Sequence, residues 1–232
     1  MAIKPILFNT EMVRANLDGR KSCIRRLVKG FVPDDAIWGY TAFTPKGYIS
    51  CRGTFADGYG EKFFKLPYQP GDIIYVRETW YKGLERYMYR ADYSDTEKFY
   101  QGGKEIEMKW HPSIRMPKEA ARIWLKCTDV RVERLQEITE SGAKAEGIRG
   151  YTKDGNLYKY AVTDDWWIDY HNKHKEIVTG TWWQDMPRTA KDAFSYLWNS
   201  TIKKSDLDLY GWNANPWVWT IEYERCEKPE GV

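Results

Sequence analysis

The 232-residue chain sets 36 Lys and Arg against 33 Asp and Glu, a net charge of +3 with histidine neutral, and 16% of it is aromatic, with 12 Trp and 17 Tyr. So small an excess of positive charge is not that of a strong sequence-independent DNA binder, and any nucleic-acid contact has to come from local basic clusters and pocket chemistry. No run approaches the ~18 apolar residues that span a bilayer, and the length suits one elaborated domain over 1–232.

Residues 6–8 read as a short apolar strand. Asn9 or Thr10 can cap a helix over 11–17, with Met12, Val13 and Leu17 toward the core. Gly19 fits the position just past that helix, where a positive φ is easiest without a Cβ. The basic segment Gly19-Arg20-Lys21-Ser22-Cys23-Ile24-Arg25-Arg26 therefore leaves the helix as a turn or strand. Residues 30–66, rich in Gly, Pro and aromatics, read as loops and short hairpins. Pro70-Gly71-Asp72 is a turn signal that feeds a β-rich run over 73–78, and 88–92 reads as a second strand.

After Pro117, Ile123, Leu125 and Cys127 alternate with Trp124, Lys126 and Thr128. That pattern predicts one long strand over 121–135, or two with a kink near Asp129. Thr139 caps, and Gly147 ends, a short helix of about two to three turns. Residues 149–187, with Trp166-Trp167 and Trp182-Trp183, read as an aromatic-rich insertion of irregular structure. Thr189 caps a last helix over 190–199 with Ala190, Ala193, Phe194, Leu197 and Trp198 on one face. A closing strand over 217–225 sets Trp217, Trp219, Ile221 and Tyr223 against Val218, Thr220, Glu222 and Glu224.

Several strands, short flanking helices and no βαβ rhythm predict an α+β fold on a small mixed β-barrel. No Walker loop or GxGxxG follows a strand, which argues against phosphate-loop and dinucleotide sites. The cysteines Cys23, Cys51, Cys127 and Cys226 form no CxxC pair, and His171 and His174 near Asp169 lack a third ligand. No metal or other cofactor is expected. Scattered thiols and an N-terminus without a long apolar stretch read as a cytoplasmic protein without a signal peptide.

Leu17-Asp18-Gly19-Arg20-Lys21-Ser22 with Arg25-Arg26 resembles the GRK(T/S)…R signature of ASCH domains, members of the PUA-like β-barrel superfamily. The run from Pro70 to Trp80 resembles the following strand of bacterial and phage-borne members. Ile138-Thr139-Glu140 through Ala145-Glu146-Gly147-Ile148 resembles the family's (I/L)TE…A…EG helix, and 217–223 its closing strand. The resemblance implies a PUA-like pocket facing RNA or a modified nucleoside, and a role in phage–host biology. Some small bacterial members are amidohydrolases that remove the acetyl group of N4-acetylcytidine with a Lys, a Thr and a Glu. The Lys falls on Lys21, the Glu on Glu146, and the Thr on Ile24, which has no hydroxyl; Ser22 offers one nearby. Other members have been linked to ribonuclease activity, and many to RNA binding alone.

Lys21 lies in sequence among Arg20, Arg25 and Arg26, and neighbouring cations and burial both lower a lysine pKa toward that of a usable base or nucleophile. The plainer reading is a basic strand that is solvated or grips phosphate. Glu146, at the end of its helix, faces the negative end of the dipole, which favours proton exchange near neutrality. It reads equally as an exposed helix-end carboxylate or as a structural ion pair with Lys21. Strand alternation lets only one of Arg25 and Arg26 line the pocket, and parity with Ser22 selects Arg26. Arg77 and Glu78 end a strand beside Trp80 and either pair with each other or meet a base edge. Trp80 and Tyr89 can stack on a flat ring, while Trp217 and Trp219 fill the core. The expected function is binding of RNA or a modified nucleotide through the basic cleft. Lys21 and Glu146 are its chemical centre, and Arg20, Arg25, Arg26, Arg77, Glu78, Trp80 and Tyr89 its ligand contacts. A nucleoside amidohydrolase and a ribonuclease are the alternatives.

Overall fold

A computed structural model of the chain describes residues 1–94, 96–173 and 181–231. β1 (Ile3–Leu7) leads to α1 (Thr10–Leu17), capped by the Asn9 side chain, which accepts the Met12 N–H at 2.8 Å. Gly19 follows at φ +73°, as expected past that helix, and turns the chain into β2 (Cys23–Leu27). β3 (Ile37–Gly39), β4 (Tyr48–Phe55) and β5 (Gly58–Lys65) form their own antiparallel sheet. The loops and short hairpins expected of 30–66 are thus partly replaced by a hairpin of two eight-residue strands. Gly53, Gly58 and Gly60 hide its alternation, and Gly58 at φ +107° closes its turn.

β6 (Ile73–Arg77) holds the predicted run. β7 (Trp80–Lys82) pairs with β8 (Tyr87–Tyr89), which is shorter than the strand expected over 88–92. The Arg90 N–H bonds the Thr79 carbonyl at 2.9 Å and the chain enters a 3₁₀ turn there. β9 (Phe99–Gln101) and β10 (Lys104–Ile106) make a small hairpin. β11 (Trp124–Arg134) is the long strand, its register shifting between Cys127 and Asp129 where a kink was expected. α2 (Glu140–Ala145) is capped by Thr139.

The 149–187 segment is not irregular where it is described. It forms β12 (Arg149–Thr152), β13 (Tyr158–Ala161), α3 (Asp164–Lys173) and α4 (Trp182–Asp185). Its aromatics pack on one another, Trp167 on Tyr170 at 5.6 Å and Tyr196 at 5.3 Å, and Ala161, Trp167 and Met186 are buried together. α5 (Ala190–Thr201), α6 (Leu207–Tyr210) and β14 (Trp217–Cys226) complete the chain.

The main sheet has five strands in the order β1-β6-β11-β14-β2, parallel between β1 and β6 and antiparallel elsewhere. Ile6, Phe8, Val13, Ile24, Ile74, Leu125 and Ile221 fill one core, which Trp38, Ile49 and Phe64 of the second sheet help cover. Leu135, Ile138, Ala143, Ala190, Phe194 and Val218 fill a second. β14 therefore buries both faces, and its Thr220 is fully buried. Each such aliphatic or aromatic side chain stabilises by about 1.5–3 kcal/mol.

The architecture is α+β, mostly strands in several sheets with a few helices. The expected barrel does not close: among the described residues no ladder joins the edge strands β1 and β2. The chain passes from one to the other through α1, and a side-chain contact replaces a ladder. Arg26 Nη2 donates to the Leu7 carbonyl at 2.8 Å.

Candidate functional site

Past α1 the chain reverses tightly. The Arg20 and Lys21 N–H groups both donate to the Ala15 carbonyl, at 2.9 and 3.0 Å. Lys21 and Glu146 form an isolated antiparallel bridge, and the Ser22 N–H donates to the Ala145 carbonyl at 2.9 Å. Two helix ends are thereby docked on the start of β2. Gly147 permits this approach. It adopts φ +105°, and a Cβ there would lie 3.0 Å from the Ala15 Cβ.

The result is a buried ion pair. Lys21 Nζ lies 2.7 Å from Glu146 Oε2, with side-chain exposures of 1% and 4%. Its other two donors go to the Glu146 and Cys23 carbonyls, each at 2.9 Å, so the ammonium is fully engaged. Lys21 is thus bonded to a carboxylate and two carbonyls, not set among cations, and Glu146 is buried, not an exposed helix end. The structural ion pair is the arrangement found.

Arg25 extends the network. Its Nη1 donates to Glu146 Oε1 at 3.2 Å, and Nε and Nη2 to Glu133 Oε1 at 3.0 and 2.5 Å. Thr220 Oγ1 donates to the same oxygen at 2.8 Å, and Arg131 Nε to Glu133 Oε2 at 3.2 Å. Positive and negative groups thus alternate from Lys21 to Arg131. Burial raises the Glu133 pKa, but Arg25, the Thr220 hydroxyl and Arg131 outweigh it and hold the carboxyl below its usual value. Burial, then Glu146, push the Cys23 thiol up to about 12, so it is no nucleophile.

The choice between the two arginines is corrected. Arg25, on the parity of Lys21 and Cys23, joins the buried charges. Arg26 points along the Ile24 side toward Leu7. Ser22 lies outside the ion pair, in a shallow pocket of about 310 Å³ with Thr128, Thr139 and Ser141. Arg20 is held by Asp18 at 2.9 Å and by the Gly147 carbonyl at 2.7 Å.

Arg77, Glu78, Trp80 and Tyr89 are not brought to this site. Arg77 Nε donates to the Met116 carbonyl at 2.7 Å. Glu78, 1% exposed, is gripped by Arg122 through Nε at 2.9 Å and Nη2 at 3.0 Å. Burial raises the Glu78 pKa, which Arg122 only partly offsets. The Tyr89 hydroxyl donates to the Ala120 carbonyl at 2.7 Å beneath Arg122, and Trp80 is buried with Met116 and Trp124. Arg77 and Glu78 therefore do not pair with each other; each has its own partner.

The opening that reaches Glu146 is a cleft of about 460 Å³ between β2 and α5. Ile24, Leu27, Phe194, Leu197 and Trp198 give it apolar walls, and Glu146 and Arg26 also line it. A recess of about 270 Å³, with Ala15, Val162 and Trp166, shares Met12, Glu146, Leu197 and Thr201 with it. One wall is the free edge of β2. The bonds from Val28 N–H to Trp217 and from Tyr223 N–H to Ser22 put the even residues of β2 in register with β14. The N–H and C=O groups of Arg25 and Leu27 therefore point away from β14, into the cleft.

The helical spacing identified Phe194, Leu197 and Trp198 as one face but not as a cleft wall. Glu133 and Arg122 went unmarked, because no local pattern ties them to partners far away in sequence. Among the described residues no group of three His, Cys, Asp or Glu can hold a metal, and no helix is long and apolar enough to cross a membrane. His171 Nε2 lies 3.2 Å from Asp185 Oδ2, and His174 lies outside the described residues. No family model, curated protein or solved structure matches this chain.

Proposed function

We propose that the cleft binds a flat, hydrogen-bonding ligand, the base of an RNA or of a modified nucleoside, as in an opened PUA-like barrel of the ASCH type. The observation that carries this reading is the Glu146 carboxylate in an apolar cleft beside the unpaired edge of β2. Lys21 and Arg25 each take one lone pair of Glu146 and fix its plane. The remaining lone pairs can accept the ring or exocyclic N–H of a base. The Arg25 and Leu27 backbone groups supply the complementary donor and acceptor. Ile24, Phe194 and Trp198 offer surface for a ring to lie against.

Binding is favoured over hydrolysis by two features. Ile24, 1% exposed and without a hydroxyl, stands where the amidohydrolases carry theirs. Lys21 has no N–H left for a substrate. An amidohydrolase acting on N4-acetylcytidine and a ribonuclease remain as rival proposals for the same cleft.

Titrating the four common ribonucleosides, N4-acetylcytidine and a short single-stranded RNA against tryptophan fluorescence tests the proposal. Saturable quenching by at least one base, lost in the Glu146→Gln variant, is expected. A flat signal for every probe sinks it, and release of acetate from N4-acetylcytidine replaces binding by hydrolysis.

A further inference from the structure

The charges in the cleft do not all cancel within the protein. Arg25 is engaged by Glu146 and Glu133, and Lys21 by Glu146. Arg26 and Lys29 line the same cleft, and no carboxylate contacts either among the described residues. Arg26 gives one N–H to the Leu7 carbonyl, which leaves four of the five guanidinium donors unused.

Arg26 is exposed at the cleft, and the Glu146 charge acts on it. Its free guanidinium donors can take an anion without breaking an ion pair inside the protein. The planar fork of arginine suits a phosphate. Glu146 lines the same cleft as an acceptor, so one ligand can meet both groups if it carries N–H donors at one end and an anion at the other.

We infer that the ligand is a nucleotide, not a free base or nucleoside, with its phosphate ester received by Arg26 at the lip of the cleft and Lys29 beside it. This rests on the nucleobase reading of the cleft and adds the anionic half of the ligand. Arg26 is then a binding residue as well as the clip between the edges of the open sheet.

The test compares the four common ribonucleosides with their 5′-monophosphates, and with inorganic phosphate alone, by calorimetry on the wild-type chain and on Arg26→Gln and Arg26→Lys. At least one monophosphate is expected to bind about tenfold or more tighter than its nucleoside, the increment of a charge-assisted hydrogen bond. Arg26→Gln should abolish that increment, read as the ratio of monophosphate to nucleoside affinity within each variant, and Arg26→Lys should keep part of it. Equal binding of nucleoside and monophosphate, or an increment that survives Arg26→Gln, overturns the inference and leaves the nucleobase reading standing. Binding of inorganic phosphate alone, with no nucleoside or nucleotide bound, overturns the nucleobase reading and the inference with it. Failure of all the probes to bind does the same.

Discussion

Glu146→Ala is expected to lower the unfolding free energy by about 3–5 kcal/mol, read from urea denaturation at neutral pH, the cost of removing one partner from a buried ion pair. The substitution leaves the Lys21 ammonium, 1% exposed, with only two carbonyls, and the Arg25 guanidinium, 2% exposed, with Glu133 as its one carboxylate. Glu146→Gln keeps the shape and an acceptor oxygen, so a smaller loss is expected. Joint replacement of Lys21 by Met and Glu146 by Leu should recover the part of the loss due to the unpaired ammonium and leave the part due to Arg25. A loss of under about 1 kcal/mol in Glu146→Ala would contradict a buried, coupled network.

The second large effect falls outside the cleft. Arg122→Ala is expected to cost about 3 kcal/mol at neutral pH, since Glu78 is then a buried carboxylate without its two guanidinium bonds. The pH dependence has a definite sign. Burial already raises the Glu78 pKa above its usual value in the folded chain, and loss of Arg122 raises it further. A folded-state pKa above the unfolded one means that the folded state gains protons more readily. The deficit of Arg122→Ala relative to wild type should therefore be full well above the folded pKa of Glu78 and shrink as pH falls through it. Denaturation midpoints of the two proteins across mildly acidic pH read this directly. A deficit that stays constant or widens on acidification rules out Glu78 as the group responsible.

Local chemistry made most of the elements legible. Asn9, Thr139 and Thr189 cap where their side chains can reach the first free N–H groups, and Gly19 and Gly147 take the positive φ that ends a helix. The kink at Asp129 was visible because the alternation of β11 breaks there. Tertiary choices were less visible. Parity along the basic segment could be counted, but which parity faces the charges depends on where α2 docks, and that selected Arg25 over Arg26. Nothing near Glu78 in sequence announces Arg122, 44 residues away. The aromatic segment after Gly147 looked irregular because its rings serve one another and leave no period to read. The α+β class was legible from the strands of the main sheet, while barrel closure was not, since it depends on whether β1 and β2 meet, and among the described residues no ladder joins them.

The most direct measurement is a ¹⁵N–¹H correlation spectrum of the chain titrated with the four ribonucleoside 5′-monophosphates. The expected result is that at least one of them shifts the amides of Arg25 and Leu27 on the free edge of β2 and the indole N–H of Trp198, while β3, β4 and β5 stay still. Unmoved Arg25 and Leu27 amides at saturation, or shifts confined to other surfaces, would contradict a base-binding cleft at Glu146.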